Sequence, residues 1–480
     1  MTDQAAGGTP GPGATTGLAR ALLASRASRC AEEHRPSGRT EGPLSPAQER
    51  FWLMEQFDWR GDRFQLPRAY RLLGDLDEAA LDVALTAIAQ RHEILRTTFT
   101  ARDGVPCQRV GPLSGPVLRV VDLSGRVDAA ARVLTEAVDA VREPLSLGCG
   151  PLWRAVLFRL SAVERVLVVV LHHIAADAPS FAVIEDELSQ GYAAARAGRA
   201  VSLPPLPMQY IDVAAWQRSR FSDAEHERLG AWWRGALADA PQMLAWPAAA
   251  GPTAGSDAEP FVRRPIPVDV AEGIAALARA SRTTPFVVSL AMFGALLARY
   301  CGQSDLLIGI PASDRTQTEH EGMVGCFLDL LVMRVDLRSD PTVGEYVRQM
   351  HRVVGDALAH RDMPFQELVR LLKPERGSRR TPVFQAVFSV NAGDADPPQL
   401  DGLHTEPFTL DGGAVAYDLV VSFEGRAPQV SGMWGFNPEV LGATSVAELA
   451  EDFEQLARSM LARPPDRISQ LPLPLRRPGR

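Results

Sequence analysis

Ten consecutive residues, Leu171-His172-His173-Ile174-Ala175-Ala176-Asp177-Ala178-Pro179-Ser180, carry the side chains that a proton-handling site needs. The two histidines close an apolar run, Val166 to Leu171, which reads as a buried strand. A carboxylate stands four residues after His173, and Pro179-Ser180 opens a helical pattern. A strand end is rigid enough to aim an imidazole at a reacting atom. A helix start offers backbone N–H groups to a developing negative charge. Together these are the parts of an acyl-transfer centre.

His173 is the leading catalytic candidate. A neutral imidazole accepts or steers the proton of an attacking amine or hydroxyl, an effect worth roughly 10²–10⁴-fold. The competing assignment is a core histidine satisfied by backbone groups. His172 falls on the opposite face if the strand continues, which points to a structural role. Asp177 can serve as a second acid or base, or as half of a buried ion pair with an arginine. Arg91, Arg96 and Arg315 are the candidate partners.

Other chemistries leave no trace. There is no G-x-S-x-G elbow, no P-loop, no G-x-G-x-x-G after a strand and no metal-spaced His/Cys/Asp cluster. No bound cofactor or metal is therefore expected, and the acyl donor must arrive activated, most simply as a thioester. Cys30, Cys107, Cys149, Cys301 and Cys326 are scattered and unpaired in spacing, which suits a reducing cytoplasm. Cys326 reads as a small buried hydrophobe.

Elements that position these residues follow from patterning over 480 residues, a length that suggests two or three domains or a duplicated pair. The net charge of −8 argues against a general nucleic-acid binder. No stretch approaches the ~20 apolar residues of a membrane span, and the N-terminus lacks the order of a signal peptide. Almost all the basic side chains are arginine, with Lys373 the only lysine, as a GC-rich genome would produce.

Residues 1–42, rich in Gly, Pro, Thr and Ala, are expected to be disordered, with Gly17 to Ser25 as either a short docking helix or a frayed tail. An N-terminal lobe over 43–245 starts with a helix capped by Ser45, with Pro46 at its first position. Further helices are expected over 77–91, 128–143, 180–197 and 208–235. Strands are expected near 94–100, 107–111, 117–121, 152–160 and 164–171. A linker over 246–260 is broken by Gly, Ala and Pro. A C-terminal lobe over 261–472 should hold helices at 270–281, 285–301, 342–360 and 444–462. Its strands should lie at 305–310, 330–337, 384–391, 418–424 and 430–436, before a tail over 473–480. The expectation is a pair of α/β lobes of similar architecture.

His172-His173-Ile174-Ala175-Ala176-Asp177 resembles the H-H-x-x-x-D-G signature of nonribosomal peptide synthetase condensation domains. Other acyltransferases related to chloramphenicol acetyltransferase share that signature, so further motifs decide. Leu44-Ser45-Pro46-Ala47-Gln48-Glu49-Arg50-Phe51-Trp52 is similar to the family's first motif, and Arg91 to Phe99 to its second. Tyr210 to Gln217 is similar to the fourth. Ile308 to Arg315, continuing to Gly325-Cys326-Phe327, is similar to the fifth, and His360 to Val369 to the sixth. The resemblance runs over residues 43–472. It implies two chloramphenicol-acetyltransferase-like lobes arranged as a V-shaped pseudo-dimer around a central tunnel. Donor and acceptor would enter on the phosphopantetheine arms of peptidyl or acyl carrier proteins and meet beside His173. Asp177 would be structural. Gly309, Pro311, Gly325, Phe327 and Asp329 would floor and close the tunnel. A cytoplasmic monomer with no nucleic-acid or membrane partner is expected.

Two departures stand out. Ala178 replaces the signature's glycine; the residue before Pro179 is expected to be extended, where alanine is unstrained, and Ala178 keeps its N–H as an oxyanion donor. Phe327-Leu328-Asp329 replaces the more usual Phe-Val-Asn, leaving Asp329 as either an acidic tunnel contact or a solvated loop residue. The chain begins with Met and stops just past its last expected helix, which suggests a free-standing enzyme that recruits its carriers through an Arg-rich surface. Two other functions fit the same motifs: a coenzyme A-dependent O-acyltransferase, and a non-catalytic module that recruits a partner.

Overall fold

The computed structural model describes residues 38–56, 64–113, 117–220, 222–247, 260–373, 381–391, 396–410, 415–426 and 429–472. The segment Gly17 to Ser25, nearly all of the expected linker and the tail from 473 lie outside them.

In chain order the first half comprises β1 (Glu41–Pro43), α1 (Pro46–Gln56), β2 (Gln65–Gly74), α2 (Glu78–Arg91), β3 (Thr97–Arg102), β4 (Val105–Val110), β5 (Leu118–Asp122), α3 (Ala129–Arg142), β6 (Trp153–Arg159), β7 (Glu164–His172), α4 (Ala178–Arg196), α5 (Tyr210–Ser219) and α6 (Asp223–Ala236). The second half comprises β8 (Phe261–Ile266), α7 (Val268–Ala280), α8 (Pro285–Cys301), β9 (Asp305–Ser313), β10 (Leu328–Asp336), α9 (Val343–Ala359), α10 (Phe365–Leu372), β11 (Ala386–Asn391), β12 (Leu403–Pro407), β13 (Leu419–Arg426), β14 (Gln429–Phe436) and α11 (Ala443–Ala462). A five-stranded sheet has the order β12-β2-β7-β6-β5, a six-stranded sheet the order β10-β9-β11-β13-β14-β8, and a small sheet the order β1-β4-β3.

The strand β7 shows why the first large sheet is covered on both faces. Val166, Val168 and Val170 pack with Val133, Ala137 and Val141 of α3. The alternate residues Leu167, Val169 and Leu171 pack with α2 and α4 through Leu81, Leu85, Ile184 and Leu188. Period-two alternation sends successive side chains to opposite layers, so an unbroken apolar run is what a doubly covered strand requires. Each such burial stabilises by roughly 1.5–3 kcal/mol. In the second sheet α8 plays the matching part. Thr284 caps it, Pro285 starts it and Gly302 ends it at φ 65°. From Val287 to Ala298 every residue of α8 is buried, so it is a core helix. No single helix among the described residues is long and apolar enough to cross a membrane.

Packing does not respect the expected division near 246. Leu229, Trp233 and Leu237, in and just after α6, join the core of the C-terminal sheet. Met323, Val324, Cys326 and Phe327, between β9 and β10, join the core of the N-terminal sheet. Strand β12, from the second half, pairs antiparallel with β2 from Leu403↔Gly74 to Pro407↔Tyr70. The expected helix over 208–235 is two helices, α5 and α6.

β2 itself has no clear signal in the sequence, because Pro67, Arg68 and Arg71 interrupt its apolar residues. It pairs with β7 along its whole length, from Gln65↔His172 to Leu73↔Glu164. Pro67 is tolerated because the pairing of this edge of β2 with β12 and the residue after it, among the described residues, reaches only to Ala69, whose carbonyl accepts the N–H of Phe408 (2.8 Å). The missing N–H therefore falls where the second edge is unpaired.

Candidate active site

β7 delivers His172 and His173 to the end of its sheet, and the two rings meet opposite fates. His172 is fully buried. Its Nδ1 accepts the N–H of Ile174 (3.0 Å), so Nε2 carries the proton and donates to Oε1 of Glu55 (3.1 Å). Both nitrogens are used, as a structural residue requires. His173 lies one residue past the strand, where its backbone N–H donates to the carbonyl of Phe64 (2.8 Å). Its Nδ1 donates to the carbonyl of Ala176 (3.2 Å), which leaves Nε2 with a lone pair. The residue keeps partial exposure, and its ring stacks on Phe51 at 5.1 Å and 9°. Burial, then the positive charge of Arg50 and the neighbouring His172, push the His173 imidazole down to about 3. The ring is therefore neutral near pH 7.

Asp177 anchors the other end of this turn. It is the N-cap of α4, with Oδ1 accepting the N–H of Ser180 (3.1 Å). The same carboxylate forms a two-pronged pair with Arg315, through Nη2–Oδ1 at 2.7 Å and Nε–Oδ2 at 3.1 Å. Arg315 Nη1 donates to the carbonyls of His320 (2.6 Å) and Met323 (2.8 Å), and Nη2 also donates to Ser180 Oγ (3.0 Å). Its guanidinium lies 4.3 Å from the centre of Phe327. Of the two roles open to Asp177, the geometry is that of a buried ion pair.

The other two candidate partners do not reach it. Arg91 pairs with Glu187 and donates to the carbonyls of Pro204 (2.7 Å) and Gly322 (3.3 Å). Glu187 lies ten residues along α4 from its cap, about 15 Å away at a rise of 1.5 Å per residue. Arg96 pairs with Glu93 (3.1 Å) and the carbonyl of Gly111 (2.6 Å).

Ala178 corrects another expectation. The extended backbone falls on Asp177 (φ −123°, ψ 177°), and Ala178 is the first helical residue of α4. It is exposed, and its φ is not positive, so the missing glycine brings no backbone strain. Pro179 has no N–H and that of Ser180 is taken by Asp177, which leaves Ala178 as the open donor at this helix start.

The loop between β9 and β10 is tied to the N-terminal half. Ser180 Oγ stands 3.2 Å from both the nitrogen and the oxygen of Gly325, and Tyr210 donates its hydroxyl proton to the carbonyl of Cys326. A side chain at Gly325 would meet Tyr210 at 2.2 Å, and one at Gly309 would meet Phe384 at 2.2 Å. Glycine is therefore required at both. Pro311 lies in β9 opposite Leu330, and Phe327 is buried against Tyr210 at 5.1 Å. Burial pushes the Cys326 thiol up to about 12, as for an inert core cysteine.

Asp329 is no solvated loop residue. It lies in β10, 3.6 Å from Nη1 of Arg50, with its side chain 22% exposed. Motif reading alone overlooked Arg50, Phe51, Glu55 and Ser180 as site residues. Arg50 and Phe51 stand inside the first motif, but only the tertiary contact shows that they face Asp329 and His173.

A family model described as Condensation domain matches residues 39–477. This chain belongs to the condensation-domain family. It is 32% identical over 436 residues to a linear gramicidin synthase of Brevibacillus parabrevis, covering 90% of this chain and 6% of that protein. It is 35% identical over 441 residues to phosphinothricin tripeptide synthetase PhsB of Streptomyces viridochromogenes, covering 90% of this chain and 37% of that protein. The condensation domain thus spans well under half the length of these curated relatives. The solved X-domain from teicoplanin biosynthesis is similar at 31% identity and a TM-score of 0.80, covering 90% of this chain and 97% of that one. The same X-domain in complex with OxyB matches at 30% identity and 0.80, covering 91% and 96%. Condensation domains of nonribosomal peptide synthesis form amide bonds, and this chain shares their mixed α/β fold.

Proposed function

We propose that the condensation domain joins a carrier-bound acyl or aminoacyl thioester to an amine, or a hydroxyl, on a second carrier, within a tunnel between two V-arranged lobes. The observation that carries this reading is the open Nε2 of a neutral, partly exposed His173. The acceptor N–H donates to this lone pair, which holds the nitrogen's own pair toward the thioester carbon. As the C–N bond forms, the carbonyl oxygen gains charge, and the N–H of Ala178 at the start of α4 is its donor. The C–S bond then breaks, the nitrogen's proton ends on the departing thiol through His173, and amide and free phosphopantetheine thiol leave. An imidazole held at so low a pKa is a weak base. Its contribution is to align the acceptor and pass the proton, while two tethered substrates supply much of the rate through orientation.

Intact-mass detection of acyl transfer between defined loaded carriers tests the reading. Transfer by the native chain and its loss in His173→Ala support it; transfer unchanged by that substitution would leave the imidazole without a catalytic part. The second reading is a module that recruits another protein, favoured by the likeness to an X-domain solved with OxyB. It predicts no transfer with any carrier pair, together with a stable complex with such a partner.

A further inference from the structure

α2 ends at His92, a residue only 1% exposed whose ring has a partner at each nitrogen. Nδ1 accepts the N–H of Val324 (3.3 Å), in the loop between β9 and β10. That bond puts the ring's proton on Nε2, which faces both carboxylate oxygens of Glu187 on α4 (2.9 and 3.0 Å). Arg91 pairs with the same carboxylate and donates to the carbonyl of Gly322 (3.3 Å) in the loop. The charged groups facing the ring are thus Glu187 from α4, Arg91 from α2 and Arg315 from the loop itself. The next residues of the loop belong to the candidate site. Gly325 donates its N–H to Ser180 Oγ (3.2 Å), and that hydroxyl donates to Asp177 Oδ1 (2.6 Å). Cys326 and Phe327 line an open cleft together with Pro46 and Ala47 of α1.

We infer that His92 is a positioning residue for acyl transfer: its neutral ring clasps the Val324 N–H, and gaining a proton releases the loop that backs the Asp177 turn. An imidazolium carries N–H at both nitrogens. Nδ1 would then turn from acceptor into donor and confront the Val324 N–H. Two donors cannot share one bond, and a buried backbone N–H left without an acceptor is costly, so the loop must move. Ser180 and Tyr210, which hold Gly325 and Cys326, are hydroxyls and keep one protonation state near neutral pH. Burial holds the His92 imidazole below its ordinary value; Glu187 opposes this, and the charges of Arg91 and Arg315 add to it. The released ring therefore binds a proton more readily than the clasped one. The clasp is closed at neutral pH and opens as the pH falls below the roughly 6.5 of a free histidine.

The positioning role rests on the acyl-transfer reading, and the clasp itself is tested apart from turnover. Native-state hydrogen exchange on the full chain reads the Val324 amide, with the amides of the β9–β10 ladder as the internal reference. As the pH falls from about 7 to about 4, across the range below a free histidine's value, Val324 should lose protection while the ladder keeps it. The loss should be about tenfold, the ratio for one net hydrogen bond of about 1.4 kcal/mol. His92→Asn places an amide oxygen where Nδ1 stands and cannot titrate, so its Val324 protection should not follow pH. His92→Leu offers no acceptor and should show the loss already at neutral pH. Transfer between loaded carriers is read as the ratio of native chain to His92→Asn, which cancels the titration of the acceptor amine. That ratio should fall over the same pH range. Val324 protection that does not change with pH in the native chain overturns the clasp, whether or not His92→Asn folds. Protection that follows pH while the transfer ratio stays constant overturns the positioning role. Absence of transfer by both proteins with every carrier pair overturns the acyl-transfer reading, and exchange at Val324 still decides the clasp.

Discussion

His172 and His173 are the same residue type, adjacent in the chain, and their surroundings make them different chemical objects. His172 has a partner at each nitrogen and no exposure. His173 has one partner, one open nitrogen and partial exposure. The strand ends between them. Up to His172 the ladder dictates where the side chain goes; beyond it, the turn closed by Ala176 does. A satisfied imidazole contributes stability, whereas one with a lone pair to spare can contribute rate.

Removing each ring in turn separates the two roles. His173→Ala is expected to lower acyl transfer by about 10²–10⁴-fold with little change in melting temperature, measured by product mass and by thermal unfolding. Asp177→Ala removes the anchor of the His173 turn and strands Arg315. It should cost about 3–5 kcal/mol in denaturant unfolding. His172→Ala leaves the N–H of Ile174 and the carboxylate of Glu55 without their partner. About 1–3 kcal/mol of stability should disappear; an equal loss from His173→Ala would mean that both rings are structural.

The smallest effect is one of pH. The folded His173 sits at about 3, below the roughly 6.5 of an unfolded histidine. The unfolded chain therefore binds a proton that the folded chain refuses, and stability drains away as the pH falls from about 6.5 toward 3. His173→Gln lacks this penalty. Between pH 7.5 and 5.5 the variant should gain about 1.4 kcal/mol relative to the native chain. Parallel pH–stability curves for the two proteins would mean that the folded imidazole titrates normally.

Local signals made much of the fold legible. The apolar run of β7, the Ser45-Pro46 start of α1 and the Thr284-Pro285 start of α8 are patterns that a few residues complete on their own. β2, β8, β12 and α10 gave no such signal. β2 carries a proline and two arginines, and makes sense only once β7 and β12 flank it. Glu187, at mid-helix in α4, captures Arg91, while Arg315, 138 residues away from Asp177, completes the ion pair. Arg50 could not be connected to Asp329, 279 residues later, by any spacing rule.

Residue order alone therefore determined the chemistry on offer: a histidine at a strand end, a carboxylate at a helix cap, glycines where no side chain fits, and the family these motifs denote. Tertiary structure decided which arginine holds Asp177, that Ala178 begins a helix, and that Asp329 lies 3.6 Å from the buried guanidinium of Arg50. The physical reason is range. Alternation, capping and steric exclusion are short-range effects written in neighbouring residues, whereas burial and charge pairing depend on whatever the folded chain brings alongside.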